Sequence, residues 1–111
     1  MAIHDVPPVS TEGDWVFVGR TDGAPARTMR AQVEQALVRI ARALAPHGLT
    51  LRNVTRARYL VPHGAGVEEF AGCRDVITAI LGDRNPQPTL VATGLGQPAA
   101  RIEIEVRARR A

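Results

Sequence analysis

The chain has 111 residues, 45% of them hydrophobic, which suits one compact domain over 1–111 and is too short for two. Its net charge is +3, and every basic residue is arginine, so a lysine Schiff base and a GxxxxGK phosphate loop are both excluded. A single cysteine, Cys73, rules out an intrachain disulfide, His4, His47 and His63 lack metal-ligand spacing, and no apolar run reaches about 18 residues, so a cytoplasmic, complete, metal-free protein is expected.

Ile3 to Val6 is a possible first strand, and Gly13-Asp14 reads as the turn before a strand over Asp14 to Arg20. From Ala26 to Ala45, Met29, Val33, Leu37, Ile40 and Leu44 recur at steps of three and four, which marks one face of a long helix. Pro46 lacks the amide needed to continue it, and Gly48 ends it. Val54 to Val61 is the next strand, with Ala57, Tyr59 and Val61 on one face and Arg56, Arg58 and Leu60 on the other. After a Gly-rich turn over 63–66, a second helix is expected from Val67 to Leu81, burying Phe70, Cys73, Ile77 and Ile80 or Leu81. Gly82 closes it, and the run Asn85-Pro86-Gln87-Pro88 forbids its continuation.

Thr89 to Leu95 then reads as a strand and Gly96-Gln97-Pro98 as a turn. Ala100 to Arg109 is the clearest strand, because Ile102, Ile104, Val106 and Ala108 alternate with Arg101, Glu103, Glu105 and Arg107. Trp15, Phe17, Tyr59 and Phe70 read as core. Two crossover helices cover one face of a sheet, and the uncovered face predicts burial in an oligomer.

Five stretches, in one order, are similar to the Rid (YjgF-like) family of reactive-intermediate deaminases. GDWVFVGR resembles the family's GDxVFxSGQ, and QVEQALVRIARAL resembles Q(T/A)xxALxNIxxxL. HGLTLRNVTRARYLV, FAGCRDVITAILGDRNPQPTLV and ARIEIEVRA are similar to AGxxxxDVVKxxVYL, FAxMNxVYxxFFGDxxPARxxV and the closing VEIExxA. The resemblance covers about residues 13 to 109. It implies an α+β, chorismate-mutase-like fold with a mixed six-stranded sheet, two helices packed on one face, and a homotrimer with ligand clefts between subunits. It also implies cofactor-free hydrolysis of imines and enamines to a carbonyl compound and ammonia.

The departures from that pattern bear on substrate. Pro88 stands where the family has the Arg of PAR, which holds a substrate carboxylate through a bidentate ion pair. Gly19 and Arg20 replace Ser-Gly, and Arg74 and Ile77 replace the Asn and Tyr of MNxVY. Glu103 matches a family cleft residue and is the expected acid/base; a merely alternating charged face is its plainer account. Arg20 offers a replacement anchor, or else is a solvated strand-end residue or forms an ion pair with Glu103 or Glu105. Arg74, Thr89 and Thr93 are further ligand-binding candidates, against ordinary surface and strand roles. Cys73 reads as a small buried hydrophobe. Together these residues predict a specialised imine or enamine hydrolase, or a related proton-transfer or cyclisation enzyme. The alternative is a non-catalytic small-ligand-binding protein. Arg107, Arg109 and Arg110 have no aromatic platform beside them, so solvated termini explain them better than nucleic-acid binding.

Overall fold

The computed structural model describes residues 7–82, 88–96 and 98–110. Its strands are β1 (Val9–Glu12), β2 (Trp15–Asp22), β3 (Val54–Val61), β4 (Thr89–Ala92) and β5 (Glu103–Arg109), and its helices are α1 (Met29–Leu44), α2 (Ala65–Ala71) and α3 (Arg74–Leu81). The strands form one mixed sheet in the order β1-β2-β5-β3-β4. β5 is antiparallel to both neighbours, so β2 and β3 run in the same direction on either side of it, while β3 and β4 pair in parallel.

Each β-to-β crossover carries helix. α1 returns the chain from β2 to β3, and α2 with α3 returns it from β3 to β4. Those helices pack on the face that carries Val16 and Val18 of β2, Ala57, Tyr59 and Val61 of β3, and Ile104, Val106 and Ala108 of β5. The alternation read from the closing strand therefore sorts its faces correctly, and Val54 to Val61 keeps both its bounds and its facing.

Among the described residues the sheet has five strands, not six, and there are three α-helices, not two. The Ile3 to Val6 strand lies outside the described residues; the partner of β2 is Val9–Glu12, joined to it by the Gly13-Asp14 turn. α1 starts at Met29 and not Ala26, because the Thr28 hydroxyl caps it by accepting from the Ala31 amide at 3.1 Å. The second helix breaks in two at Gly72-Cys73. Glycine favours such an interruption through its backbone freedom, and Phe70, Cys73, Ile77 and Leu81 still share one buried stripe across it.

Two strands are shorter than expected. β4 ends at Ala92, with one further ladder bond from Thr93 N–H to the Val61 carbonyl at 2.9 Å. β5 starts at Glu103 and not Ala100, because the Arg101 N–H donates to the Gln32 side chain of α1 at 2.7 Å rather than to a strand. Tyr59 and Phe70 are core as expected, with ring centroids 5.1 Å apart. Trp15 and Phe17 are not: they are half-buried on the sheet face away from the helices.

Candidate functional site

Residues that approach one another at the end of β2 and the start of β5 owe their positions to an irregularity. Pairing runs regularly to Val18 opposite Val106 and resumes at Thr21 opposite Ile104, so Gly19 and Arg20 together face the single residue Glu105. Such an extra residue re-aims the side chains around it. Arg20 thereby reaches Glu103, donating from Nε to Oε1 at 2.6 Å, and from Nη2 to the Gly94 carbonyl at 2.9 Å. The other carboxylate oxygen, Oε2, accepts from the Gly96 N–H at 2.9 Å. The Glu103 side chain is 5% exposed and that of Arg20 is 41% exposed, so a buried carboxylate is held by a cation that still touches water.

The structure thus brings together two of the residues expected to form the site, Glu103 and Arg20. Thr93, the residue before Gly94, closes the same loop. It does not bring in Thr89, which is exposed at the start of β4 opposite Arg58. Arg74 is the first residue of α3 and lines a separate cavity of about 30 Å³ with Phe70, Ile77, Thr78 and Pro88. That small cavity shares no residue with the Arg20–Glu103 pair.

A second polar layer, missed in the sequence, anchors the loops on either side of Glu103. Arg39 of α1 donates from Nη1 to the Asp22 carbonyl at 2.7 Å and to its carboxylate at 3.2 Å, and from Nη2 to the Ala24 carbonyl at 2.7 Å. Asp22 in turn accepts from the Ala24 amide at 2.8 Å. Gln32 bridges the two loops: its amide donates to the Ala26 and Ala99 carbonyls while its oxygen accepts from Arg101 N–H. Gly23 passes so close to α1 that a Cβ there would collide with the Gln32 backbone. The available signal was spacing: Gln32, Ala36 and Arg39 lie four and three apart, on the buried side of α1 rather than on its solvent face.

Burial pushes the Cys73 thiol above its ordinary range, an effect only partly offset by Arg30, which is the opposite of what a reactive thiolate needs. Tyr59 is likewise pushed up, to about 12, by burial, and its hydroxyl is buried with no hydrogen-bond partner among the described residues. Among the described residues no group of three or more His, Cys, Asp or Glu side chains is arranged to hold a metal ion. No helix among them is long and apolar enough to cross a membrane.

The family model described as endoribonuclease L-PSP matches residues 12–110. No curated protein sequence matches the chain. A solved structure from Mycobacterium tuberculosis, described as a member of the highly conserved YjgF family, is 29% identical over 92% of this chain and 84% of its own, with a TM-score of 0.81. An uncharacterised protein from Pseudomonas aeruginosa is 27% identical over 93% of this chain and 89% of its own, with a TM-score of 0.80. The RidA protein of an Antarctic Psychrobacter shares the fold at 18% identity, with a TM-score of 0.82 over 99% of this chain and 98% of its own. One sheet whose crossovers place every helix on a single face, together with a family match across almost all of the sequence, leads to one assignment: the chain belongs to the L-PSP endoribonuclease family, the YjgF/Rid proteins.

Proposed function

We propose that this protein is a Rid-type small-molecule enzyme that works without a cofactor, at clefts between the subunits of a chorismate-mutase-like homotrimer. Its chemistry is hydrolysis of an imine or enamine, or a related proton-transfer or cyclisation step on such a substrate. The observation that carries this reading is Glu103, a carboxylate 5% exposed yet clamped at the end of a strand by a guanidinium and a backbone amide. An ionised carboxylate has about four lone-pair sites, and two donors leave room for a water. Glu103 takes a proton from that water as its oxygen adds to the C=N carbon and the C=N electron pair moves to nitrogen. The carboxyl then returns the proton to nitrogen, giving a carbinolamine; Glu103 next takes the hydroxyl proton and passes it to the amine as the C–N bond breaks, which releases ammonia and the carbonyl product.

Substrate class follows from the charge near Pro88. That residue cannot hold a carboxylate; Arg20, which holds Glu103 and still touches water, is the anchor favoured for a different ligand, and Arg74, which lines the separate small cavity with Pro88, is the alternative anchor. Thr93 supplies a hydroxyl donor in the loop beside Gly94, and Thr89, at the start of β4 and apart from the Arg20–Glu103 pair, supplies one only to a ligand that extends along that strand. The half-buried Trp15 and Phe17 on the helix-free face of the sheet support burial of that face against other subunits.

One set of measurements tests the reading. Imine consumption by the wild type and by Glu103→Gln is compared on an amino-acid imine and on an uncharged imine, with the mass in solution measured by light scattering. A mass of three chains and a fall in kcat of about 10²–10⁴-fold in the variant are expected. A monomer, or equal turnover by both forms, overturns the proposal. Because both Glu103 oxygens already have donors within the chain, a ligand-binding protein without turnover is the second reading; ligand binding by both forms with turnover by neither supports it.

A further inference from the structure

Among the described residues, the helix-free face of the sheet carries guanidinium charge that the ion pair of Arg58 with Glu105 does not neutralise. Arg56 of β3 stands directly opposite Arg107 of β5, and like charges in that register repel. The neighbouring pair is balanced, with Arg58 on Glu105 at 3.1 Å. Arg56 makes no ion pair among the described residues. Arg107 turns its guanidinium over the Trp15 ring, 4.6 Å from the centroid, and its buried Nε donates to nothing among the described residues. Within the single chain these groups line an open pocket of about 310 Å³, together with Ser10, Phe17, Arg58 and Glu105. Its charge is that of two guanidiniums in excess.

We propose that this pocket is an anion site in which Arg56, Arg107 and the Ser10 hydroxyl hold a phosphate dianion, either free or as the head of a small phosphate monoester. A carboxylate brings one charge and two oxygens in a plane. Two cations side by side on adjacent strands, one with an orphaned donor, are better matched by two charges on three or more oxygens pointing in different directions. Phe17 and Val9, which also line the pocket, give an organic substituent an apolar wall. The site lies beyond the proposed cleft chemistry, since it uses neither Glu103 nor Arg20. Burying this face in an oligomer makes neutralisation of Arg56 and Arg107 more necessary, because an unpaired cation is costly away from water.

Trp15 is the only tryptophan and already stacks on Arg107, so its emission reports on the site. The full chain is titrated at pH 8 and constant ionic strength with inorganic phosphate and, separately, with butyl phosphate. A saturable emission change is expected with at least one of them. Tighter binding of butyl phosphate identifies a monoester ligand, and equal binding identifies free phosphate. Arg56→Gln should weaken the binding about tenfold and also melt at a higher temperature than the wild type in phosphate-free buffer. Arg107→Gln, followed by its melting temperature because it alters the reporter, should lose the stabilisation by phosphate. Absence of a saturable response to both ligands overturns the proposal, as does unchanged affinity in Arg56→Gln. Glu103→Gln must keep the response. If it does not, the anion sits at the Arg20–Glu103 site and this assignment is wrong, whatever the outcome of the turnover assay.

Discussion

Arg20 and Glu103 make one ion pair, yet removing each partner should cost a different amount. With Glu103→Gln, the group left behind is Arg20, which is 41% exposed and keeps the Gly94 carbonyl, so water takes over its lost bond. The amide still accepts one hydrogen bond but presents a donor to the other partner. The net loss is about one charge-assisted bond, discounted for the exposure of the pair, or about 1–2 kcal/mol. With Arg20→Met, the bulk that shields the carboxylate is kept and the cation is removed. A side chain 5% exposed is then left ionised with only the Gly96 amide, and the expected cost is about 3–4 kcal/mol, near that of breaking a buried pair. Urea unfolding of the two variants and the wild type, at one fixed protein concentration so that assembly does not enter the difference, measures both values. Equal losses, or a larger loss in Glu103→Gln, would refute the argument that burial of the carboxylate decides the energetics of this pair.

Tyr59 is the only tyrosine, so its phenol can be followed by ultraviolet absorbance; the folded protein should ionise near 12 and the unfolded chain near the ordinary value of 10.0. A phenol whose folded pKa is raised contributes stability that is fully present below the unfolded pKa and is lost as pH rises through the folded one, so stability should fall from about pH 10 upward. Tyr59→Phe removes an unpartnered buried hydroxyl and should leave the melting temperature unchanged or raise it at neutral pH, and should flatten that alkaline loss. Arg39→Met leaves the Asp22 carboxylate, 7% exposed, without its cation and the Ala24 carbonyl without its donor, and should destabilise by about 3–5 kcal/mol in urea. Because Asp22 and Ala24 lie in the segment that follows Arg20, the same variant should also lower imine turnover at temperatures where it remains folded.

Wherever one residue's chemistry dictates a local outcome, that outcome was legible in the order of residues. The alternation of Ile102, Ile104, Val106 and Ala108 with charged neighbours placed β5 and its two faces, and the three-and-four spacing from Met29 to Leu44 placed the buried stripe of α1. Gly48, with φ of 73°, ends the turn after α1 where a residue free to take a positive φ was needed. The motifs that resemble the family survive as core pattern, because a sheet packed against helices constrains which positions are apolar and says little about what the polar ones do.

Tertiary structure decided the rest. Whether Arg20 is a solvated strand end or a clamp depends on a two-residue irregularity opposite Glu105, and pairing of strands distant in sequence is not written in either strand alone. Arg39 and Gln32 look like exposed helix residues until the loops at Asp22, Ala24, Ala26 and Ala99 fold against them and supply the carbonyls and carboxylate they need. Arg74 and Glu103 match cleft positions of one family pattern, yet within one chain they stand at separate places, one at the start of a helix and one on a strand. The sequence by itself determined which faces are apolar, hence the layers and the family. Only the packed chain determined which charges meet, because partners far apart in sequence become neighbours only when the sheet closes between them.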